Sequence, residues 1–402
     1  MKPYNITVGF IANYCLFHDL TINRSVVSNY TISRQTSLDM IGKRAWYTYY
    51  SDLSALVAID MINNSTEILP DIHINVKRFT DCGQWKPNVD ITFKGNTIGF
   101  ASSTLIQDIV DNNPDIIGVI GFQVSSTARG TGQVLSLLNI PYCTGCSTSP
   151  RLSNKHLFPY VWRPLPGLGL GNHIYQVLRK WNVKRVAIVY QRDDDLGTQY
   201  AMDMLRAFAE NDVYVAVNLA LKTTVNGDVL GYSRQMLLNS DARYVIISGQ
   251  NLFTSQIYQG LTGMGLAGPQ FVWMSFAQPN KYSIPKIAPG FIYIQPPLPI
   301  SNSSLFAEFR NAVLEKANVS PPYFTINDAT FKTYASQFFD CGMMLLRGFD
   351  KLLKENPTLT PPMLLNRQLQ NQMNSTLFRN VSYEGLMGNP ENYLDANGDL
   401  TG

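Results

Sequence analysis

The sequence predicts an α/β protein built as two doubly wound lobes, each a parallel sheet with helices on both faces. Three observations carry that expectation. Short apolar runs alternate with helical segments through the first 150 residues and again between Gly167 and Gln295. The length, 402 residues, exceeds the ~250–300 at which a single core stops growing. Between the two patterns stands Arg163-Pro164-Leu165-Pro166-Gly167, whose prolines and glycine interrupt regular structure.

Taken in order, Ile6-Val8-Phe10 and Ile72-Ile74-Val76 alternate with more polar residues, the period of half-buried strands. Between them Trp46 to Asn63 is helical, with Ala55, Ile59 and Ile62 on one face and Leu53, Leu56 and Val57 beside it. Ile98 to Val110 gives a second helix. The apolar run Ile116 to Gly121 is a buried strand, and Ser125-Ser126-Thr127 opens a helix that ends at Leu138. Ile140-Pro141-Tyr142 then enters a second hydroxyl-rich stretch, Cys143 to Pro150. In the second lobe a helix runs to Trp181, followed by a strand Val186 to Tyr190 and a helix aligning Tyr200, Met204, Leu205 and Phe208. Strands Val213 to Ala220, Tyr244 to Ser248, Phe271 to Ser275 and Phe291 to Gln295 complete it. Pro296-Pro297-Leu298-Pro299 returns the chain to the first lobe, for helices at Leu305 to Asn318, Asp328 to Leu353 and Pro361 to Gln370. A third crossing is expected near Met373. The boundaries are therefore 1–165 for lobe 1, 166–297 for lobe 2, 298–372 for lobe 1 again and 373–402 for lobe 2 again, and three crossings make a hinge. His18 to Arg34, rich in Asn, Ser and Thr, reads as an inserted surface loop.

Composition narrows the function. Only 15% of residues are charged and the net charge is +3, an excess spread over a large surface, so no nucleic-acid partner is expected. No apolar segment reaches the ~18 residues that would span a membrane. Nine N-x-S/T sequons, at Asn5, Asn23, Asn29, Asn63, Asn64, Asn302, Asn318, Asn374 and Asn380, favour a secreted, glycosylated surface. Adjacent Asn63 and Asn64 are not both expected to carry glycan, and Asn64 is the one retained. The four histidines, His18, His73, His156 and His173, have no ligand spacing, and neither a nucleophile elbow nor a phosphate loop is present. No metal, no cofactor and no catalytic residue are expected. Five cysteines leave one over if all bonds are intramolecular, and Cys143-x-x-Cys146, a single pair without a second ligand pair, reads as structural. Gly167-x-Gly169-x-Gly171 ahead of Asp193-Asp194-Asp195 mimics a dinucleotide fingerprint. Pro164 and Pro166 occupy its preceding strand, so a flexible crossing explains the glycines better than an NAD-dependent enzyme. Asp395-Ala396-Asn397-Gly398-Asp399 has the composition of a calcium loop and reads as a turn.

Two hydroxyl clusters at the carboxyl ends of neighbouring strands point to a small-molecule site, since a helix start offers N–H groups to an anion. On local sequence alone capping is the favoured reading of Ser125, Ser126 and Thr127, since Ser and Thr are the usual N-cap residues.

Ser147-Thr148-Ser149-Pro150-Arg151-Leu152-Ser153-Asn154, with Phe158-Pro159 and Trp162-Arg163, resembles the signature of class C G-protein-coupled receptor ectodomains, the GABA-B and metabotropic glutamate receptors in particular. More broadly it resembles the ligand-binding region shared with natriuretic-peptide receptors and periplasmic amino-acid-binding proteins. Asp241-Ala242-Arg243 before Tyr244-Val245-Ile246-Ile247, Phe339-Asp340-Cys341, Tyr383-Glu384-Gly385-Leu386-Met387-Gly388 and Asp395 to Asp399 continue the resemblance in order. It implies a bilobed type I periplasmic-binding (Venus flytrap) fold on the extracellular face of the plasma membrane. It further implies a receptor, not an enzyme, that captures a small molecule in the interlobe cleft and signals by lobe closure. Homo- or heterodimers would form through lobe 1, with Trp46 to Leu56 and Ile98 to Val110 as candidate interface helices. Met1 is expected to replace a removed leader, and Gly402 to precede a membrane-proximal region that alone would reach the membrane. A solute-binding protein of a transport system and a receptor guanylyl cyclase-type ectodomain are the alternatives. Cys82 resembles a disulfide cysteine of the family, with Cys15 as candidate partner.

By the same resemblance Ser125 falls on the serine that grips the ligand carboxylate, with Ser126 beside it, and Thr148 falls on a second pocket hydroxyl, with Ser147 as its neighbour. The remaining positions depart. Phe276 stands for an Asp of glutamate receptors, Leu196 for their tyrosine with Asp195 before it, and Gln250 for the GABA-B tyrosine. Tyr334 replaces the residue that holds the ligand's distal group, and Ser51 lies near an expected Arg. A cleft without those charges pairs a zwitterion poorly. The ligand is expected to be amino-acid-like or an organic acid, but not glutamate.

Overall fold

A computed structural model of the chain describes residues 2–12, 26–27, 45–80, 106–121, 123–165, 169–277, 290–294, 302–319, 335–379, 381–386 and 394–400. They form two compact units, Met1–Thr148, Leu152–Gly167 and Leu298–Gly402 making the first, and Ser149–Arg151 with Leu168–Pro297 the second.

The first unit is built on a six-stranded sheet. Its strands are β1 (Tyr4–Ala12), β2 (Val26–Val27), β3 (Ile72–Thr80), β4 (Ile116–Gly121), β5 (Tyr142–Thr144) and β6 (Val161–Trp162), in the order β2-β3-β1-β4-β5-β6. All pairings are parallel except the short β2, which runs antiparallel along β3 inside the stretch expected to be a loop. Parallel neighbours need crossovers, which the helices Ala45–Asn63 and Ser125–Leu137 supply. All six residues of β4 are buried, as an unbroken apolar run must be in a sheet covered on both faces. At Gly118 a Cβ would lie 3.0 Å from Leu345, so glycine there lets the helix Ser336–Glu355 settle onto the strand. One face carries Phe10, Leu53, Ile59, Phe309, Phe339, Leu345 and Phe349. The other carries Ile11, Phe79, Ile109, Val119, Leu135 and Phe158.

Several expectations are corrected here. In the helix Ala45–Asn63, Tyr49 to Ala55, Val57 to Ile59 and Ile62 are buried, so that part of the expected interface helix packs in the core. Of the stretch Ile98 to Val110 only the part from Ile106 is described, and it closes in a π-helical turn, Asp108–Asn112. The helix expected from Asp328 is described from Ser336, and that expected over Pro361 to Gln370 stops at Leu365. Cys143 bonds to Cys341 across 198 residues, tying β5 to the helix Ser336–Glu355. Cys146 is a thiol beside that bond, and the proposed pair Cys15 and Cys82 lies outside the described residues.

The described parts of 373–402, expected in the second lobe, pack in the first unit. Met373, Phe378, Leu386, Leu394 and Leu400 complete its core, Phe378 stacks on Trp162 at 4.0 Å, and Asp399 bridges in parallel to Arg163. Burial of those apolar side chains and neutralisation of Arg163 hold the segment there.

The second unit has a five-stranded, fully parallel sheet: β7 (Arg185–Gln191), β8 (Tyr214–Leu221), β9 (Tyr244–Ser248), β10 (Val272–Ser275) and β11 (Phe291–Tyr293), ordered β11-β10-β9-β7-β8. Alternation along β7 sends Val186 and Ile188 to the helices Leu170–Lys180 and Asp195–Glu210. Ala187 and Val189 go to Gly227–Asn239 and Asn251–Gly263. Setting aside β2, both sheets share one order: the first strand of each lies between its second and third. That is the doubly wound pattern with a switch point between first and third strands, and it agrees with the bilobed periplasmic-binding-type fold.

Candidate functional site

At a switch point the crossovers leave neighbouring strands toward opposite faces, so their carboxyl ends part and leave a crevice. In the first unit these are the ends of β1 and β4. The chain leaves β4 through Gln123 and Val124 into the helix Ser125–Leu137. Its N-cap is Val124, in extended conformation, and no side chain caps it. Ser125, Ser126 and Thr127 therefore fill the first turn and do not cap it. The first-turn N–H groups of such a helix point along its axis toward the strand ends, where an anion is favoured. Ser125 and Thr127 are buried, and Ser126 and Thr148 are half-buried.

Ser147 has a different task. It is fully buried, its hydroxyl donates to the Gln123 carbonyl at 2.5 Å and accepts from Thr144 at 3.0 Å, and its own carbonyl accepts from Arg163 at 2.8 Å. The Tyr142 hydroxyl donates to the Gln123 side chain at 2.6 Å. This network joins the turns after β4 and β5 and fixes the residues leading into Ser125. Of the neighbouring pair Ser147 and Thr148, the latter keeps the less enclosed hydroxyl. Ser51 is fully buried within the helix Ala45–Asn63.

In the second unit the corresponding ends belong to β7 and β9. Asp194 caps the helix Asp195–Glu210 by accepting from the Gly197 amide at 2.9 Å, and the Gln250 side chain donates to it at 3.2 Å. The Gln250 amide donates to the Gln191 side chain at 2.9 Å, which in turn donates to Thr223 at 2.7 Å. Asp193 accepts from the Thr223 amide and hydroxyl, each at 2.9 Å. Burial raises the Asp194 carboxyl above the usual carboxylate range, against the lowering pull of its hydrogen bonds. Asp195 accepts from Ser149 at 2.6 Å and pairs with Arg151 at 3.4 Å. Leu196 is half-buried in the first helical turn, and Phe276, also half-buried, lies edge-on to Tyr200 at 5.4 Å. Gln250 thus joins the start of the helix that carries Leu196, while Tyr334 lies outside the described residues. Gln191, Asp194 and Thr223 were not anticipated; three acids directly after a strand were the signal for them.

Of the glycine row, Gly169 has a left-handed backbone, φ 92°, and Gly171 is explained by packing. The Gly171 amide donates to the Asp203 carboxylate at 2.8 Å, and a Cβ there would stand 2.6 Å from the Asp203 carbonyl oxygen. The chain's own carboxylate fills that helix start, where a pyrophosphate would have to sit.

The motifs that carried the resemblance meet one another in the first unit. Asp340 accepts from the Tyr383 hydroxyl at 2.6 Å and the Leu386 amide at 3.1 Å, and burial, reinforced by Asp340, pushes the phenol well above its ordinary pKa. Arg163, wholly buried, donates to Asp399 at 2.6 Å, and Ser153 bonds to both. Asp395 accepts from the amides of Asn397 and Asp399, so Asp395 to Asp399 is a turn. Beside it Lys155 is pulled down to about 8 by burial. Among the described residues no cluster of three or more His, Cys, Asp or Glu could hold a metal, and no helix is long and apolar enough to cross a membrane.

Of the sequons, Asn5 and Asn64 are exposed. Asn302 and Asn374 are half-buried and accept from the amides of Leu305 and Thr376. The Asn63 side chain pairs with both backbone groups of Ile74. Asn318 lies in the helix Ser303–Val319, and Asn23, Asn29 and Asn380 lie outside the described residues.

Comparison with known proteins converges on the same reading. The pattern described as "Receptor family ligand binding region" matches residues 51–402. The mouse protein "Taste receptor type 1 member 2" is 21% identical over 324 residues, 74% of this chain and 36% of the relative. The Drosophila melanogaster "Metabotropic glutamate receptor" is 25% identical over 235 residues, 55% of this chain and 24% of the relative. The human "Extracellular calcium-sensing receptor" is 23% identical over 215 residues, 50% of this chain and 19% of the relative. The chain thus spans about a third or less of the length of these relatives, which are receptors and not enzymes. Matched by that pattern over residues 51–402, most of its length, the chain belongs to the receptor family ligand-binding region, in the company of class C receptor ectodomains.

Proposed function

We propose that the chain is the extracellular sensor domain of a class C, GABA-B-like receptor, that its two units are the lobes, and that it captures a small carboxylate and signals by closing on it. The observation that supports this best is the helix Ser125–Leu137, which begins without a side-chain cap at the first unit's switch point. Ser125 and Thr148 hold the ligand carboxylate, and Gln250, Leu196 and Phe276 provide the second lobe's contact. Asp193, Asp194 and Asp195 are already engaged by the protein's own donors, so no carboxylate of that group is left to pair an ammonium. The ligand is accordingly an organic acid or an amino-acid-like molecule other than glutamate. Signalling requires a ligand that favours the closed form over the open one. Glycans sit at the exposed sequons, Asn64 taking the place of Asn63. Dimers form through the first lobe on the helix Ser125–Leu137, whose far end exposes Val134, Leu137 and Leu138, Leu137 to 82%.

A thermal-shift screen of organic acids, amino acids and amines tests the reading. A ligand at 100 times its dissociation constant adds ~2.7 kcal/mol of stability, so a carboxylate should raise the melting temperature. Stabilisation by amines and by no carboxylate would refute it.

A further inference from the structure

The edge of the second sheet opposite the candidate site carries a row of two arginines with an aromatic ring at each end. Register pairs Arg185 with Tyr214, Val186 with Tyr244 and Tyr244 with Val272. The residues just before the last two, Arg243 and Phe271, therefore continue the row as Tyr214, Arg185, Arg243, Phe271 across four strands, about 14 Å at ~4.8 Å per strand. The Arg185 guanidinium lies 5.1 Å from the Tyr214 ring centre and donates to the Ser240 carbonyl, and Arg243 lies 5.4 Å from the Phe271 ring. Trp181 packs 6.1 Å from Tyr244 and stays 44% exposed, and Tyr214 is 61% exposed. Arg179 and Lys180, which end the preceding helix, and Lys184, just before β7, are exposed.

These five cations share the edge with Glu210, Asp212 and Asp241, yet none of the eight forms a salt bridge among the described residues. Arginines stacked on rings are held in place with N–H donors still facing solvent, which suits forked binding of sulfate or carboxylate. The exposed faces of Trp181 and Tyr214 beside them suit the apolar faces of sugar rings, and a run such as Arg179-Lys180-Trp181-Asn182-Val183-Lys184-Arg185 fits a polyanion.

We propose that this edge binds a linear sulfated polysaccharide. The composition-based reading of a charge excess spread over the surface is refined accordingly: five of the 32 lysines and arginines share this edge with three acids.

The test uses the whole chain and heparin. The protein is retained on immobilised heparin to a higher salt concentration than on a sulfopropyl exchanger of equal charge density. Arg185→Ala with Arg243→Ala weakens heparin binding about tenfold or more, with melting unchanged. Trp181→Ala with Tyr214→Ala weakens it while leaving sulfopropyl retention unaltered. Arg192→Ala with Lys222→Ala, removing equal charge near the carboxyl ends of the same sheet, leaves heparin binding near wild type. Equal retention on both resins, equal loss in the two charge variants, or tighter binding of a poly-glutamate peptide than of heparin would overturn the proposal, the last pointing to an acidic protein segment instead.

Discussion

The pair Arg163 and Asp399 offers the sharpest stability prediction. Its side chains are 0% and 3% exposed, the contact is 2.6 Å, and it joins residues 236 apart. Asp399→Asn preserves shape and removes the charge from beside a guanidinium that also donates to the Ser147 carbonyl and the Ser153 hydroxyl. Breaking a buried pair from one side costs ~3–5 kcal/mol. At ~2–4 °C per kcal/mol for a unit of this size, the first unit's melting temperature should fall by about 6–20 °C. Asp60→Asn breaks the contact to Lys316, whose partners are 52% and 33% exposed, and should cost no more than ~1 kcal/mol. Replacing both buried partners, Arg163→Met with Asp399→Leu, should recover most of the loss, because no lone charge remains. Circular dichroism melts of the four proteins decide the matter. A shift below about 2 °C for Asp399→Asn, or one equal to that of Asp60→Asn, would refute the reasoning.

Three further outcomes follow from the same geometry. Lys155 holds its proton less tightly in the folded protein, at about 8, than in the unfolded chain near 10.4, so the unfolded state binds more protons between those values and stability rises with pH there. Urea midpoints at pH 7.5 and 10 should rise more in wild type than in Lys155→Met, and equal rises would remove the burial argument. Cys143→Ser with Cys341→Ser should lose ~2–5 kcal/mol by urea titration, and peptide mapping of the unreduced protein should find the two joined; alkylation of both as thiols would contradict the bond. Calorimetry at millimolar glutamate should show no specific heat, and saturable micromolar binding that Ser125→Ala abolishes would count against the assignment of the second-lobe residues.

The strands of both sheets were legible because strand-length apolar runs are local: Val186 to Tyr190 was read and Arg185–Gln191 is found, and Tyr244 to Ser248 is found unchanged. The paired hydroxyl turns of Ser125 and Thr148 were legible for the same reason. What the chain's local pattern does not carry is pairing at long range. The bond from Cys143 to Cys341 and the docking of Asp399 on Arg163 depend on residues some 200 or more positions apart, which is why the last segment was placed in the other lobe. An apolar stripe also reads alike whether it faces a core or a partner. The stretch Trp46 to Leu56 was therefore open to both readings, and Tyr49 to Ala55 within it are buried. Ser147 and Thr148 are adjacent hydroxyls, and only the Gln123 carbonyl shows which one is held inward.

The central claim is that the first unit's strand-end hydroxyls hold a ligand carboxylate, and isothermal titration of the most stabilising acid tests it most directly. Each hydrogen bond to a charged group is worth ~1.5–3 kcal/mol, so Ser125→Ala should weaken binding by about 10- to 150-fold, and Thr148→Ala should weaken it again, with both variants still folded by circular dichroism. Undiminished affinity in the folded double variant would contradict the claim.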